Sequence, residues 1–511
     1  MNGEGIDNGG GGAPMGTGSG TSSRGVWGSK MGFVLAAAGS AIGLGNIWKF
    51  PYICGDNGGG AFVAIYLICI AVVGLPIMIG EIMIGRMAQR SPVGAFGSVA
   101  GRYSPWKGVG GLGVLAAFFM LSYYAVVAGW ALHYTFTACI GGISGQSKEE
   151  VEGAFGTLVG NASLNVSWHV IFMGLTMVIV VGGIKKGIER WARILMPLLF
   201  LMLAALLWQA TQLKPIPPET ESGFDKAVDF VFSWNTDKLR PEGVLEALGH
   251  AFFTLSLGMG AMITYGSYLK RSSSLIGTSV AICTLDTVIA LMACLILFPI
   301  TFAYGMEPAK SAGLVFVNMP VALAQMPGGS YLSIVFFGLL VFAALTSAIS
   351  LLEVVASYFI DQWKWSRKKA TIFCGIAVTL FGIPSALSNS VDLFGNDFAE
   401  WKEGVIGEDW GDVSKGNWFD FLDYFVSNWM LPVGGFFIAI FAAWRVGGKA
   451  REEEFCAGPV GAVYRTWLIL LRYIVPVIVA IVCLYAAGLL EEWGTIDWFY
   501  DEVLNEVRKK K

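Results

Sequence analysis

Charged residues are scarce in this chain of 511 residues: they make up 14% of it, against 55% hydrophobic residues. An ordinary soluble domain carries about 25% charged residues, so the composition indicates a membrane protein instead. The formal net charge is −3 and no basic domain stands out, which argues against nucleic-acid binding. There are only three histidines, and the eight cysteines occur singly, without Cys-x-x-Cys or Cys/His spacing. Neither a disulfide framework nor a zinc site is therefore indicated.

Long apolar segments stand where charges are missing. A helix needs about 20 apolar residues to cross a bilayer, and eleven segments of the chain meet this requirement. They lie near residues 31–54, 61–85, 110–140, 168–184, 191–211, 244–268, 275–303, 331–360, 370–386, 423–444 and 465–489. The sequence therefore predicts an all-α integral membrane protein with 11 transmembrane helices in a lipid bilayer.

The two ends of the chain differ from the part between them. Residues 1–23 are rich in Gly, Ser and Thr, which predicts a disordered tail, and they lack the pattern of a cleaved signal peptide. Residues 491–511 form a second tail. Lys and Arg fall in every second loop, and the positive-inside rule then places the N-terminus in the cytoplasm of a multi-pass protein of the cell inner (plasma) membrane. Eleven spans put the basic C-terminus outside, an awkward fit to the rule.

Two apolar segments are interrupted by glycine. Residues 39–46 read GSAIGLGN, and residues 254–261 read TLSLGMGA. Such interruptions in corresponding halves of a membrane protein indicate the binding site of a secondary transporter, where unwound carbonyls and half-helix ends hold substrate and ions. The alternative is that small residues only let helices approach closely. The polar residues inside both segments favour the binding site.

Three runs of sequence carry a resemblance to a known family. They are WGSKMGFVLAAAGSAIGLGNIWKFPYICGDNGGGAF (27–62), FFTLSLGMGAMITYGSY (252–268) and ALTSAISLLE (344–353). The chain from about Arg24 to the end of the eleventh span resembles the neurotransmitter:sodium symporter family, in particular its bacterial eleven-helix amino-acid transporters. The resemblance implies a transporter domain over 24–490, with helices 1–5 (about 31–211) and helices 6–10 (about 244–444) as an inverted 5+5 repeat. Helices 1 and 6 are broken, and helix 11 covers about 465–489.

The resemblance also implies two Na⁺ ions beside the substrate. The first sodium site would use Ala41, Asn46, Thr254 and Asp286, together with the substrate carboxylate. The second would use Gly39, Ile42, Ala343, Thr346 and Ser347. Carbonyls freed by unwinding and Thr, Ser and Asn side chains are the oxygen ligands that a hard cation prefers.

Asp286 departs from the family pattern, since relatives carry an amide at this position and the chloride-dependent ones bind an anion nearby. An ionisable residue in a span costs about 2.5–3.5 kcal/mol on insertion scales and indicates function. An aspartate supplies the negative charge itself, so we predict chloride-independent transport. Proton counter-transport follows if Asp286 takes up a proton when sodium leaves. The alternative is a hydrogen bond that only holds helices together.

The substrate class depends on Gly43. Monoamine transporters of the family carry an aspartate at the matching position, whereas glycine leaves room for a substrate carboxylate and favours an amino acid. The resemblance implies a substrate site formed by Ala41, Leu44, Gly45, Met120, Tyr124, Phe253, Thr254, Ser256, Met259, Ser347 and Leu351. Its two methionines make a deformable pocket, which indicates a hydrophobic or aromatic side chain.

Charged residues near span ends match the family's gates. The resemblance pairs Lys49 with Asp423 as the outer gate and Arg24 with Asp361 as the inner gate. Lysine replaces an arginine often found in the outer pair and loses its bidentate geometry. Without the resemblance, each charge could be a residue that snorkels at a span end. Glu81 and Glu353 lie deeper in spans, and we expect them to support the fold through a polar network.

The sequence therefore predicts a sodium-coupled symporter that imports an amino acid by alternating access. Two alternatives stay open: a membrane sensor that binds an amino acid without transporting it, and a monoamine transporter. A channel would need a continuous polar pore, and an enzyme would need a catalytic constellation; neither pattern occurs. The predicted partners are the amino acid, sodium and the bilayer, and a homodimer is left open.

Overall fold

The computed structural model describes residues 25–143, 148–213, 221–235, 239, 241–271, 273–303, 313–326, 328–406, 416–455 and 461–486. Within these ranges all regular structure is helical, which confirms the predicted all-α class. The helices are α1 (Lys30–Ala41), α2 (Gly45–Asp56), α3 (Gly60–Ala88), α4 (Pro92–Ala100), α5 (Lys107–Cys139), α6 (Lys148–Gly160), α7 (Ala162–Val181), α8 (Ile184–Thr211), α9 (Gly223–Phe232), α10 (Pro241–Thr254), α11 (Ala261–Gly266), α12 (Leu275–Ala303), α13 (Leu314–Gln325), α14 (Gly329–Gln362), α15 (Arg367–Leu387), α16 (Asn396–Ile406), α17 (Trp418–Arg445), α18 (Gly448–Phe455) and α19 (Gly461–Ala486). A 3₁₀ turn covers Asp392–Phe394. Both predicted tails lie outside the described residues.

Nine of the described helices are long and apolar enough to cross a membrane: α3, α5, α7, α8, α12, α14, α15, α17 and α19. Helices α1 and α2 meet the same criterion together, with a bend of 47° between them. The chain is therefore a multi-pass membrane protein. The segment predicted as a span at 244–268 is divided in two, since α10 ends at Thr254 and α11 begins at Ala261.

The centre of the molecule is formed by α5 and α14, which pack against each other along their length and are the most buried of the long helices. Two glycines of α5 let other helices approach it closely. A Cβ atom at Gly129 of α5 would lie 3.0 Å from the backbone of Trp168 in α7, and one at Gly110 would lie 2.6 Å from the backbone of Val93 in α4. Small residues drive helix association in membranes in this way, by letting backbones approach. Helix α1 packs on α14, α12 and α8, so the α1–α2 bend lies near the centre of the fold.

The junction of α7 and α8 differs from the predicted boundaries. The sequence predicts spans at 168–184 and 191–211, with the basic residues between them in a loop. In the structure the connection is only two residues long, and Gly183 turns the chain with φ +76°. Helix α8 then begins as a π-helical turn, Ile184–Glu189, which contains Lys185 and Lys186. The prediction that Lys185 and Lys186 lie outside the apolar core was correct, but their charge did not show that their backbone is helical.

Candidate functional site

The first glycine-interrupted segment forms a break between α1 and α2. Helix α1 ends at Ala41, and Ile42 has an extended conformation with ψ 93°. The carbonyls near the break accept hydrogen bonds from side chains of other elements. The Ser347 hydroxyl donates to the carbonyls of Gly39 (3.3 Å) and Ser40 (3.1 Å), and the Ser256 hydroxyl donates to the Ser40 carbonyl (2.9 Å).

The second glycine-interrupted segment forms a turn of residues 255–260 between α10 and α11. Ser256, Gly258 and Gly260 all have left-handed φ values of 53°, 80° and 73°. A residue other than glycine adopts this conformation rarely, and it marks strain at functional sites. The Ser40 hydroxyl lies 3.4 Å from that of Ser256, so the two breaks are in contact.

A buried carboxylate joins three elements beside these breaks. Asp286 of α12 accepts hydrogen bonds at Oδ1 from Asn46 Nδ2 (2.8 Å) and Thr254 Oγ1 (2.8 Å), and at Oδ2 from the Tyr66 hydroxyl (3.2 Å). Asn46 Oδ1 in turn accepts from the Gly43 amide (3.1 Å). All four side chains are at most 1% exposed. The structure thus brings Asn46, Thr254 and Asp286, three members of the first predicted sodium set, into one cluster. The fourth member, Ala41, is buried at the end of α1.

The second predicted sodium set lies between α1 and α14. The Thr346 hydroxyl donates to the carbonyl of Ala343 (2.9 Å), and a Cβ atom at Gly39 would lie 3.1 Å from Thr346 Cβ. Ser347 reaches the Gly39 carbonyl, as described above. Gly39, Ala343, Thr346 and Ser347 are therefore neighbours, and Ile42 is buried at the adjoining break.

The predicted substrate residues Tyr124, Phe253 and Ser347 surround the segment Gly43–Gly45. The Leu44 amide donates to the Tyr124 hydroxyl (3.1 Å). A Cβ atom at Gly43 would lie 2.5 Å from the Ser347 hydroxyl and 2.9 Å from that of Tyr124, and one at Gly45 would lie 2.9 Å from the Phe253 ring. A side chain at position 43 would therefore displace the hydroxyls of Ser347 and Tyr124, and one at position 45 would displace the Phe253 ring.

The remaining predicted substrate residues are buried on the same elements. Met120 precedes Tyr124 by about one turn of α5, Leu351 follows Ser347 by about one turn of α14, and Met259 lies in the turn of residues 255–260. Their contact with a ligand stays a prediction.

The predicted outer gate residues form an ion pair next to Phe253. Lys49 Nζ lies 2.9 and 3.0 Å from the two carboxylate oxygens of Asp423, and 4.7 Å from the centre of the Phe253 ring. The Ser427 hydroxyl also donates to Asp423 (3.2 Å). A cavity of about 250 Å³ borders the pair and is lined by His250, Glu246 and Asp420 among others. The Lys49 ammonium thus forms both an ion pair with the Asp423 carboxylate and a cation–π contact with the Phe253 ring.

The predicted inner gate is described in part, because Arg24 lies outside the described residues. Asp361 accepts a hydrogen bond from the backbone amide of Ser91 (2.6 Å). Glu353 belongs to a buried network, as the sequence predicts: it accepts from two guanidinium nitrogens of Arg367 (2.6 and 3.0 Å) and from the Tyr268 hydroxyl (2.7 Å).

The turn of residues 255–260 is held from two sides. Glu81 of α3 accepts a hydrogen bond from the Gly258 amide (2.8 Å), so this carboxylate supports the turn. On the other side, a Cβ atom at Gly258 would overlap the carbonyl of Leu431, and one at Gly434 would overlap the carbonyl of Gly258. The turn and α17 are therefore in direct backbone contact.

The ligand groups of this region suit a hard monovalent cation. Carbonyl, hydroxyl and amide oxygens and one carboxylate surround the breaks, which is the donor set for a cation of low charge rather than for zinc or copper. In the described part of the chain, no cluster of three or more His, Cys, Asp or Glu side chains could hold a metal ion.

Sequence reasoning missed two side chains of the site. Tyr66 donates to Asp286, and Ser350 accepts from the Ser40 hydroxyl (2.7 Å). A lone phenol inside an apolar span and a second serine three residues after Ser347 were the available signals. Neither signal names a partner, because the contacts span more than 200 residues of sequence.

Comparisons with known proteins point in one direction. A sequence model of the sodium:neurotransmitter symporter family matches residues 24–145 and 159–395. The uncharacterized sodium-dependent transporter YhdH of Bacillus subtilis (strain 168) is 36% identical over 470 residues, covering 91% of this chain and 98% of YhdH. An uncharacterized sodium-dependent transporter of Haemophilus influenzae is 31% identical over 469 residues, covering 90% and 97%. The crystal structure of MhsT in complex with L-phenylalanine has 41% identity and a TM-score of 0.81, covering 91% of this chain and 100% of that one.

Proposed function

This chain belongs to the sodium:neurotransmitter symporter family, and on that premise we propose that it imports an amino acid with a large hydrophobic or aromatic side chain. Its relatives are sodium-dependent transporters and not enzymes, so the chain itself is a sodium-dependent membrane transporter. The proposal adds the substrate class, two sodium ions, independence of chloride and alternating access between the two sides of the membrane.

The proposed architecture has eleven crossings. Helices α10 and α11, with the turn between them, would form one broken crossing, as α1 and α2 form another. The first five and the next five crossings would form an inverted repeat, with α19 as the eleventh. The alternation of Lys and Arg between loops supports a cytoplasmic N-terminus.

The Asp286 cluster is the observation that carries the proposal. A carboxylate in a membrane interior is costly, so its presence indicates a function. Here the carboxylate accepts three hydrogen bonds beside the two breaks. Asp286, Asn46, Thr254 and the Ala41 carbonyl would hold one sodium ion together with the substrate carboxylate. Because Asp286 supplies a negative charge, no chloride ion is needed to balance sodium.

A second sodium ion would lie between α1 and α14. Its ligands would be the hydroxyls of Thr346 and Ser347 and the carbonyls of Gly39, Ile42 and Ala343. The Ser347 hydroxyl already lies within hydrogen-bonding distance of the Gly39 carbonyl, which supports a shared ligand role. An ion there would tie the C-terminal end of α1 to the central helix α14.

An amino acid fits the segment Gly43–Gly45 better than a monoamine does. The segment ends at Gly45, the first residue of α2. The positive dipole end of a helix stabilises a carboxylate by about 0.3–1 kcal/mol, or ~2 kcal/mol in a partly buried site. The Tyr124 hydroxyl would donate to the same carboxylate. An aspartate at position 43, which a monoamine site would use, would have to displace the hydroxyls of Tyr124 and Ser347. The L-phenylalanine bound to MhsT supports an aromatic or hydrophobic side chain, for which Met120, Phe253, Ser256, Met259 and Leu351 would form the pocket.

Coupling follows from the shared ligand. If the substrate carboxylate completes the first sodium site, sodium strengthens substrate binding and the substrate strengthens sodium binding by the same factor. The Lys49–Asp423 pair would close the outer side over the bound substrate, with Phe253 beneath it. Arg24 and Asp361 would close the inner side.

Uptake of labelled L-amino acids into proteoliposomes tests the proposal. The gradient is inward sodium or inward potassium, each with chloride or gluconate as the anion. We expect concentrative uptake of L-phenylalanine or a similar amino acid with sodium in both anions. Uptake lost in gluconate would refute chloride independence alone. Saturable sodium-dependent binding without accumulation would instead identify a sensor, and accumulation of a monoamine would overturn the substrate class.

A further inference from the structure

The N-terminal end of α1 is bound by one carboxylate from α8. Glu189 accepts hydrogen bonds from the Gly28 amide at Oε2 (2.7 Å) and from the Ser29 hydroxyl at Oε1 (3.2 Å). Ser29 is the N-cap of α1, and its hydroxyl also accepts from the Gly32 amide (2.9 Å). Glu189 is only 2% exposed although it lies near the end of the membrane-spanning region. One buried side chain therefore contacts the residues that begin α1.

Arg193, one turn further along α8, completes this contact. Its guanidinium forms an ion pair with the carboxylate of Glu189 and donates to the Ser29 hydroxyl (2.7 Å). The carboxylate thus keeps a positive partner when α1 moves away, and Arg193 is itself 48% exposed. This arrangement allows the contact to α1 to break without leaving an isolated buried charge, which would be strongly unfavourable.

The fit between α1 and Glu189 is close. A Cβ atom at Gly32 would overlap the Glu189 carboxyl group, and one at Gly28 would lie 3.1 Å from its Oε2 atom. The absence of a side chain at Gly32 of α1, and at Gly28 just before the helix, therefore leaves room for the Glu189 carboxyl group. This close approach shows that the contact is specific rather than a chance meeting of exposed polar groups.

A second contact holds the same end of α1 on another side. The indole nitrogen of Trp27 donates to the Tyr265 carbonyl of α11 (3.0 Å), and its ring packs edge-on against Tyr265 and Phe33. The beginning of α1 is thus bound to α11 through Trp27 and to α8 through Glu189. Of the two, only the Glu189 contact depends on a charge, so a single isosteric substitution weakens it selectively.

We propose that Glu189 is a positioning residue that holds the inner half-helix α1 closed, and that breaking its bonds to Gly28 and Ser29 accompanies release of substrate to the cytoplasm. The inference rests on the proposed function, because it takes the opposite end of α1, at Gly39 and Ile42, to carry sodium ligands. Release of the N-terminal end lets α1 swing away from α14 and separates those ligands. Glu189 is distinct from the predicted inner gate, which joins Arg24 to Asp361.

Hydrogen–deuterium exchange of the full chain in nanodiscs tests the contact directly. Glu189→Gln removes the charge but keeps the shape, and Glu189→Asp keeps the charge on a shorter side chain. The control is Arg190→Gln, which removes the charge of the adjacent exposed residue. In sodium without substrate, we expect Glu189→Gln to speed amide exchange across residues 28–33 by roughly tenfold, since hydrogen bonds to charged groups are the stronger ones. Glu189→Asp should show a smaller increase and Arg190→Gln none.

Transport supplies the functional readout. Proteoliposomes loaded with labelled L-phenylalanine should lose it faster with Glu189→Gln, while the apparent affinity from the outside falls because fewer molecules are outward-facing. Unchanged exchange at residues 28–33 and unchanged efflux would overturn the inference. If Glu189→Gln does not fold, Gly32→Ala places a methyl group against the Glu189 carboxyl group and should give the same direction of change. If the wild-type chain transports no amino acid, the proposed function fails, and the exchange result still reports whether Glu189 holds α1.

Discussion

Replacing Asp286 by asparagine separates the charge of the site from its shape. The amide is nearly the same size as the carboxylate, and its oxygen can accept the two hydrogen bonds from Asn46 and Thr254 that now converge on Oδ1 at 2.8 Å. The Tyr66 hydroxyl would lose its acceptor at Oδ2. The substitution therefore keeps most of the packing but leaves the proposed first sodium ion without a negative protein ligand.

The expected loss can be worked from the charge. Two unit charges about 4 Å apart attract by about 4 kcal/mol at an effective dielectric constant of about 20, and the cost of removing both from water offsets part of this attraction. A net loss of about 1.4–2.8 kcal/mol would weaken sodium binding roughly tenfold to a hundredfold. The half-saturating sodium concentration for L-phenylalanine uptake in gluconate should rise accordingly.

Comparing uptake in chloride and in gluconate tests whether the charge of Asp286 is what the variant lacks. Uptake by the Asp286→Asn variant should recover in part when chloride replaces gluconate, because an added anion restores the missing charge. The matched control is Asp225→Asn, which removes an exposed carboxylate on α9. If Asp286→Asn keeps the sodium dependence of the wild type in gluconate, the carboxylate is not the anionic partner of sodium and the reasoning is wrong. A pH-sensitive dye inside the vesicles adds a second readout: wild-type uptake should make the lumen more alkaline, and the variant should not.

Three further substitutions test other parts of the structure. Gly43→Ala should weaken L-phenylalanine binding roughly tenfold in equilibrium binding assays, since overpacking costs about 1–3 kcal/mol; unchanged affinity would show that the segment can shift. Lys49→Ala should speed dissociation of bound substrate to the outside, and Lys49→Arg should keep the slow dissociation of the wild type. Equal dissociation rates in the two variants would argue against an outer gate. Arg367→Met leaves Glu353 buried without its cation and should destabilise the chain by about 3–5 kcal/mol, measured as a fall in the thermal unfolding temperature. The exposed neighbour Lys368→Met is its control, and similar falls in both would contradict this account.

The membrane helices are readable from sequence because their signal is local. The span predicted at 275–303 coincides with α12, and the one at 110–140 with α5 (Lys107–Cys139). Length and hydropathy decide such elements without reference to the rest of the chain. Six shorter helices were not predicted, among them α4 (Pro92–Ala100) and α9 (Gly223–Phe232), since they are too short or too polar to pass a span criterion.

Only part of the site could be predicted from the sequence, because many of its contacts join residues that are far apart in the chain. Glycine and polar residues inside apolar segments located both breaks, and the family resemblance supplied Asn46, Thr254 and Asp286 together. The hydrogen bond of Tyr66 to Asp286 was not readable, because a phenol in a span carries no sign of its partner 220 residues away. Glu189 was missed for another reason: it lies among basic residues between two predicted spans, and only the π-helical start of α8 shows that it is buried.

The backbone contact between the turn of residues 255–260 and α17 has a mechanical consequence. Side chains can change rotamer and absorb a small displacement, but two backbones in contact cannot, so a shift of α17 must displace the turn by a similar amount. Helix α17 carries Asp423 near its beginning and Gly434 in its middle. Tilting of this helix when Lys49 leaves Asp423 would thus move Gly258 and the neighbouring Ser256 directly. A displacement that begins near Asp423 would thus reach the binding region through a backbone contact, without requiring a series of side chains to repack.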